Sequence, residues 1–300
     1  MLDHYILGTV DRISPEAPVP VFLIEKETFA PGGAGNVATN IAALGGRASV
    51  LGMVGKDDAA GRLMKEFKKR NVDTNGVINI NPRPTTQKIR VIAHGQQLIR
   101  LDIEKTEKIG AKFEKMAMGS LAKKVKTSDA LVVSDYAKGF ITKNLAKAII
   151  SLSKKHKKLI IGDIKPENFS YFRNIDVIAP NEKEALKMSG KNSILGAGKF
   201  LQKKLNCDVL ITRGTKGLTL FEKNKNYDFP AESKDVFSVT GAGDTVTAVF
   251  ALCLAAGAKL QDAARIANCA AGIVVGKMGT ATPSFSELRD CLKAEGKAQK

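Results

Sequence analysis

Cysteine is scarce in this chain. Cys207, Cys253, Cys269 and Cys291 are the four among 300 residues. None forms a C-x-x-C pair and no histidine cluster lies near them; Cys253 and Cys269 fall in apolar helical stretches, which reads as buried free thiols. Such thiols suit a reducing cytoplasm. No stretch approaches the roughly 20 apolar residues needed to cross a bilayer. The N-terminus shows no charged segment followed by an apolar run, the mark of a signal peptide. Internal repeats, low-complexity linkers and heptad runs are missing too. The balance of charge is strongly one-sided, at +17. Yet aromatic residues are not interleaved with the lysines, as a base-stacking surface would require. The lysine doublets, such as Lys68-Lys69 and Lys203-Lys204, are scattered along amphipathic segments. They read as solvated helix faces that attract anionic substrates as a side effect, with no nucleic-acid or membrane partner.

What is present is an ordinary globular composition, 44% hydrophobic and 26% charged, in a chain long enough for a large core. Strand and helix patterns alternate. Residues 34 to 44 carry Val37, Ile41 and Leu44 at helical spacing and stop at Gly45-Gly46. Ser49 to Val54 reads as a buried strand, and Leu63 and Phe67 mark the next helix. Ala130–Val133, Leu159–Gly162, Asp176–Ala179 and Val209–Thr212 are further short apolar strands, each ending in polar or glycine residues. This alternation predicts an α/β fold: a mostly parallel sheet flanked by helices, with ligands at the carboxyl ends of the strands. Thr86–Val91 and Gln97–Glu104 depart from it. They alternate around His94-Gly95 and predict an antiparallel hairpin with one wet face. With a strand over Val19–Ile24 they form a small β lid, its segments near residues 4–30 and 82–104 of a single 1–300 domain.

Three segments carry chemistry. Thr240-Gly241-Ala242-Gly243-Asp244-Thr245 precedes the apolar helical run Val246–Ala256. Glycines admit a ligand close to the backbone, and a helix start offers N–H groups and a positive dipole end to a phosphoryl group. Asp244 stands where a carboxylate could activate an attacking hydroxyl, the parts that phosphoryl transfer needs; alternatively it only caps the helix. Pro31-Gly32-Gly33-Ala34-Gly35-Asn36-Val37-Ala38 contains G-x-G-x-x-A, with Asp57 at a distance suited to a ribose, so a nicotinamide dehydrogenase is a rival. Pro180-Asn181-Glu182-Lys183-Glu184 opens a helix. Asn181 and Glu184 share a face and suit Mg²⁺ held through water, or else form a helix cap.

In this order and spacing the three segments resemble the ribokinase-like (PfkB-type) carbohydrate kinases over essentially the whole chain. Arg12–Pro20, Gln96–Asp102, Ser134–Gly139 and Gly272–Thr280 resemble the D-glycero-β-D-manno-heptose-7-phosphate kinases within that family. The resemblance implies a ribokinase-like three-layer core. It implies ATP-dependent phosphorylation of the sugar phosphate at C1, on the route to ADP-heptose and lipopolysaccharide. It makes Asp244 the catalytic base and Gly241, Ala242 and Gly243 the anion hole. Asn181 and Glu184, with Glu182 and Lys183 between them, become the Mg²⁺ and nucleotide element. Thr212, Arg213, Gly214 and Asn268 become the wall of the ATP site. Asp3, Gly33 and Asn36 are implied as sugar contacts, with Lys88, Arg90 and Arg100 as candidates for the 7-phosphate. Paired lids imply a homodimer. A sugar-phosphate sensor without activity is a further rival, against which the retained Asp244, Asn181 and Glu184 count.

The chain departs from that family in three places. Relatives place an apolar strand ending in Gly-Asp before Met1-Leu2-Asp3, so an upstream start is expected, and without it an unfilled place in the sheet. Ser238 stands where Asp is common in a loop tied to a monovalent cation, a possible further cofactor. Many relatives carry a C-terminal nucleotidyltransferase domain. This chain ends at Lys300, so adenylyl transfer is expected on another polypeptide.

Overall fold

The computed structural model describes residues 1–231, 239–277 and 279–298; Ser238 and its cation loop lie outside them. The chain opens with two long antiparallel strands, β1 (Leu2–Ile13) and β2 (Pro20–Pro31). Next come α1 (Ala34–Ala43), β3 (Ser49–Val54), α2 (Asp58–Lys69) and β4 (Asp73–Asn79). The hairpin β5 (Gln87–Ala93) and β6 (Gln96–Ile103) turns at His94-Gly95, both with positive φ, which favours a tight two-residue connection. Then α3 (Ala111–Lys124), β7 (Ala130–Ser134), α4 (Lys143–Lys155), β8 (Leu159–Asp163), β9 (Val177–Ile178), α5 (Glu182–Ser189) and α6 (Ile194–Leu205) alternate. The chain continues through β10 (Asp208–Thr212), β11 (Leu218–Glu222), β12 (Lys225–Phe229), α7 (Ala242–Ala255), α8 (Leu260–Val275) and α9 (Phe285–Ala298).

The main sheet has the order β12-β11-β10-β9-β8-β7. It is parallel from β7 to β10 and antiparallel beyond. Its side chains alternate between two cores, as the pleat requires. Ile160, Ile178, Val209, Ile211 and Phe221 pack with Leu145 and Leu201 from α4 and α6. Ile161, Val177, Leu210 and Leu220 pack on the other face with Val246, Phe250 and Ala264 from α7 and α8. This is the three-layer arrangement. Burying apolar area at about 25 cal/mol per Å² is its main source of stability. The four cysteines remain thiols.

The sheet is not continuous. β3 and β4 pair only with each other among the described residues, over a third core of Leu2, Val54, Leu63, Phe67 and Val72. Between β3 and the outermost strand β7 lies a slot of about 780 Å³. Val37, Leu63, Phe67, Leu131, Val133 and Leu252 are among its walls, and Met1 stands at its rim.

The third sheet, β2-β1-β5-β6, stands outside the core. Here the expectation of one wet face is corrected, because every residue of β6 is exposed. Leu23, Ile24, Ile99, Leu101 and Ile103 are 40–62% exposed. Alternation in the sequence shows which residues share a face, not what covers that face. β2 also runs longer than its apolar start at Val19–Ile24, because an edge strand needs no alternation across Glu25-Lys26-Glu27.

Candidate active site

α7 begins at Gly241, which adopts φ 80 as its N-cap and offers no side chain to it. A Cβ there would come within 2.6 Å of the Asn36 amide, so glycine is required on both counts. Thr245 N–H makes the helix's first i to i−4 bond, to Gly241 O. Ala242 N–H donates to Val239 O at 3.3 Å, which leaves the Gly243 and Asp244 N–H groups, unpaired within the helix, to face an anion. Beside Gly243 the space is open, with nothing within 4 Å of where a Cβ would stand.

Asp244, in that first turn, is 6% exposed. Asn36 from α1 donates to its Oδ2 at 3.1 Å, and the Tyr136 hydroxyl, just after β7, donates to Oδ1 at 2.7 Å. Asn36 is itself oriented, because its Oδ1 accepts from Asn40, whose own Oδ1 accepts from Thr245. Burial pushes the Asp244 carboxyl up to about 6, against the pull of the two donors. The group is therefore mostly ionised at neutral pH yet basic enough to take a proton. The alternative role as a mere cap does not fit, since Gly241 is the N-cap and Asp244 bonds to side chains of other elements.

The glycines before α1 make room for this cluster. A Cβ on Gly32 would strike the Asp3 carboxylate at 2.2 Å, and one on Gly33, at φ 58, would meet the Tyr136 ring at 2.8 Å. The loop is thus filled by a carboxylate and a phenol rather than left open to a pyrophosphate. Asp57 is likewise engaged, as N-cap of α2 and acceptor from Thr85. Asp3 on β1 is buried and paired with Arg90 on β5 at 2.5 Å. Arg90, a candidate for the 7-phosphate, is 8% exposed. Lys88 and Arg100 share its face of the outer sheet and both pair with Asp102, at 3.1 and 2.8 Å.

The nucleotide candidates fall at the start of α5, at the end of β10 and on α8. Asn181 and Glu184 form a reciprocal capping box at the start of α5. That satisfies the cap, and Glu184 Oε1 in addition holds the Lys165 ammonium at 2.5 Å. Glu182 lies 3.9 Å from Lys216, and Lys183 is exposed. Thr212 ends β10 and bridges to Asn181. Gly214 has open space where a Cβ would stand. Arg213 is turned back onto Thr219 and Asp228, and the Asn268 amide holds the Pro230 carbonyl at 2.6 Å. Both side chains are thus engaged by the chain's own groups.

Three groups escaped sequence reasoning: Tyr136, Asp163 and Lys165. Their one signal is position at strand ends, Asp163 as the last residue of β8 and Tyr136 and Lys165 two residues beyond β7 and β8. Burial, with Asp244, Glu184 and Asp135 adding, lifts Asp163 to about 7, while Lys165 opposes the rise. Burial works against the charge on Lys165, but Asp163 and Glu184 outweigh it and raise its pKa. Four carboxylates around one ammonium leave a negative field suited to a hard cation. No group of three or more His, Cys, Asp or Glu able to hold a metal occurs among the described residues. A cation here would lean on water and phosphate oxygens.

A buried carboxylate at a helix start, an open glycine turn beside it and carboxylates gathered around Lys165 at strand ends are parts that phosphoryl transfer uses. Residues 4–287 match the model of the pfkB family carbohydrate kinases, and the chain belongs to that family. It is a sugar kinase. It is 39% identical over 296 residues to the bifunctional protein HldE of Sulfurimonas denitrificans, covering 97% of this chain and 62% of that protein. With HldE of Geobacter metallireducens the identity is 40%, covering 96% and 60%. The chain thus spans about three-fifths of the length of these curated relatives. Its fold is that of Escherichia coli phosphofructokinase-2 in complex with substrates and products (TM-score 0.79, 22% identity, 98% and 95% covered). It is also that of Arabidopsis thaliana ribokinase complexed with ribose and ATP (TM-score 0.72, 23%, 97% and 96%).

Proposed function

We propose that this sugar kinase transfers the γ-phosphoryl group of ATP to the C1 hydroxyl of D-glycero-β-D-manno-heptose 7-phosphate, giving the 1,7-bisphosphate for ADP-heptose and lipopolysaccharide synthesis. The observation that carries phosphoryl transfer is Asp244, held by Asn36 and Tyr136 beside the open first turn of α7. Above about pH 6 its carboxylate takes the proton of the attacking hydroxyl. The N–H groups of the α7 start and the Lys165 ammonium meet charge on the transferring group. Thr212 and Gly214 border the nucleotide, and Asn181 and Glu184 position a water-bound Mg²⁺. The metal supplies charge neutralisation on the phosphates. Asp3, Gly33 and Asn36 line the sugar side, and Lys88, Arg90 and Arg100 seat the 7-phosphate, for which Arg is well shaped.

Support for the heptose comes from the likeness to HldE along nearly the whole chain, together with the motifs at Arg12–Pro20 and Ser134–Gly139. A coupled ADP-release assay over heptose 7-phosphate, free heptose, ribose and fructose 6-phosphate tests the reading. Heptose 7-phosphate should lead in kcat/KM by about 10²-fold or more, since a site built for a polar group rejects ligands that lack it. A different preferred sugar would overturn the heptose and leave the kinase standing. The cellular place that suits free thiols and ATP is the cytoplasm. The exposed apolar side of the outer sheet, the lid, fits a second copy across a two-fold axis. Light scattering at micromolar concentration should give a homodimer, and a monomer would remove that assignment.

A further inference from the structure

Tyr136 stands where the parts of the site meet. Its hydroxyl reaches Asp244 Oδ1 at 2.7 Å. One side of its ring lies under the Lys165 ammonium, 5.2 Å from the centroid, and Lys165 is tied in turn to Glu184. Its edge packs where Gly33 has no Cβ, so a side chain there would collide with it. The backbone holding it is equally determined. Asp135 accepts from Ala137 N–H and from the Asn168 amide, and Ala137 takes a left-handed φ of 53.

We infer that Tyr136 is a positioning residue for the base, fixing the Asp244 carboxylate from one side while Asn36 fixes it from the other, so that a single approach remains for the acceptor hydroxyl. This rests on the reading of Asp244 as base. The direction of the bond is set by chemistry. Burial and the Asp244 charge push the phenol well above its ordinary pKa, so it stays protonated and only donates to the carboxylate. A carboxylate with both oxygens engaged by donors from different elements cannot swing to another rotamer without breaking one of them. The donated bond also favours the ionised form, which is the form that accepts a proton. The ring carries a second link, since it separates Lys165, on the phosphate side, from the sugar-side loop at Gly33 and spaces the two.

The test is the pH profile of kcat/KM for wild type, Tyr136→Phe and Asp244→Asn. Groups facing Asp244 are Asp3 on β1, the Met1 amino group, Asp163 at the end of β8, Lys165 beyond it, and Tyr136. All but the phenol hydroxyl are unchanged in Tyr136→Phe, which also keeps the ring over which Lys165 sits. Losing one donor to the ionised carboxylate should move the acid limb up by about one pH unit. It should also lower kcat about tenfold at neutral pH, with KM for ATP unchanged. A purely structural Tyr136 predicts a changed melting temperature with an unmoved limb, and that result overturns the inference. Should Tyr136→Phe fail to fold, 3-fluorotyrosine at 136 serves instead. Its more acidic phenol is a stronger donor and should move the limb down, so an unmoved limb there is equally fatal. Asp244→Asn separates the two readings. If it keeps near-normal turnover the base itself is misassigned. If it is inactive while Tyr136→Phe is unaltered, only the positioning role falls.

Discussion

The pocket around Asp244 and the slot between β3 and β7 share the end of β7, yet they are built in opposite ways. In the pocket, side chains from α1, β7 and α7 converge on one carboxylate, and glycines stand where any Cβ would collide. In the slot, apolar walls enclose about 780 Å³ and Gly52 of β3 has nothing within 4 Å of its Cβ position. The pocket holds a buried charge that costs stability and gives reactivity; the slot leaves apolar surface underused. Converging polar contacts define the first region, and facing apolar walls the second.

Substitutions should divide along the same line. Asp244→Asn is expected to have the largest effect, lowering kcat by about 10²-fold or more, because general-base help is worth 10²–10⁴. ATP affinity should hardly change. Near-normal turnover would end the contrast by removing the reactive charge from the pocket. The same charge sets the pH response. Folded Asp244 and Asp163 titrate near 6 and 7, above their ordinary value of 3.8. Their contribution to stability is therefore fully present below about pH 4 and is lost as pH rises through 6 to 7. Activity should rise over the window in which this contribution falls. Asp244→Asn should flatten part of that slope in urea titrations at pH 5 and 8, and an unaltered slope would contradict the burial argument.

Arg90→Ala comes next. It leaves the Asp3 carboxylate buried without its partner, a loss of about 3–5 kcal/mol for a pair of this burial. It should also raise KM for the sugar phosphate far more than KM for ATP. A loss below about 1 kcal/mol would show that the pair is as weak as a surface one. The smallest effect sharpens the comparison most. Gly52→Val should stabilise by about 0.5–1 kcal/mol through strand preference, since its Cβ would meet nothing within 4 Å. Gly33→Ala, at φ 58 and against the Tyr136 ring, should instead destabilise by about 1–3 kcal/mol. Equal signs in thermal melts would abolish the distinction between a filled and an open region.

Much of this was legible from residues alone, for identifiable reasons. The Gly241–Asp244 and Asn181–Glu184 elements are local, because a helix start and its first turn put chemistry within four residues. The hairpin at His94-Gly95 is local too. What stayed hidden is what several distant segments create together. Lys165 is one lysine among many until β8 delivers it to Glu184, and Tyr136 is an aromatic in a loop until α7 brings Asp244 to it. The Arg90–Asp3 pair was hidden because alternation cannot show that β1 lays Asp3 against Arg90. The slot is a relation between β3 and β7, strands separated in the chain by β4 and the hairpin β5–β6.

β1 begins in the pocket and ends in solvent. Asp3, one residue into it, is clamped by Arg90, whereas Ile13 at its far end is 63% exposed. Twelve extended residues make an arm about 40 Å long. The arm is geared: a displacement of about 4 Å at the tip turns a rigid strand by only about 6° at its root. Whatever covers the outer sheet therefore sits on the far end of a strand whose near end is a buried carboxylate, so surface and pocket share one backbone.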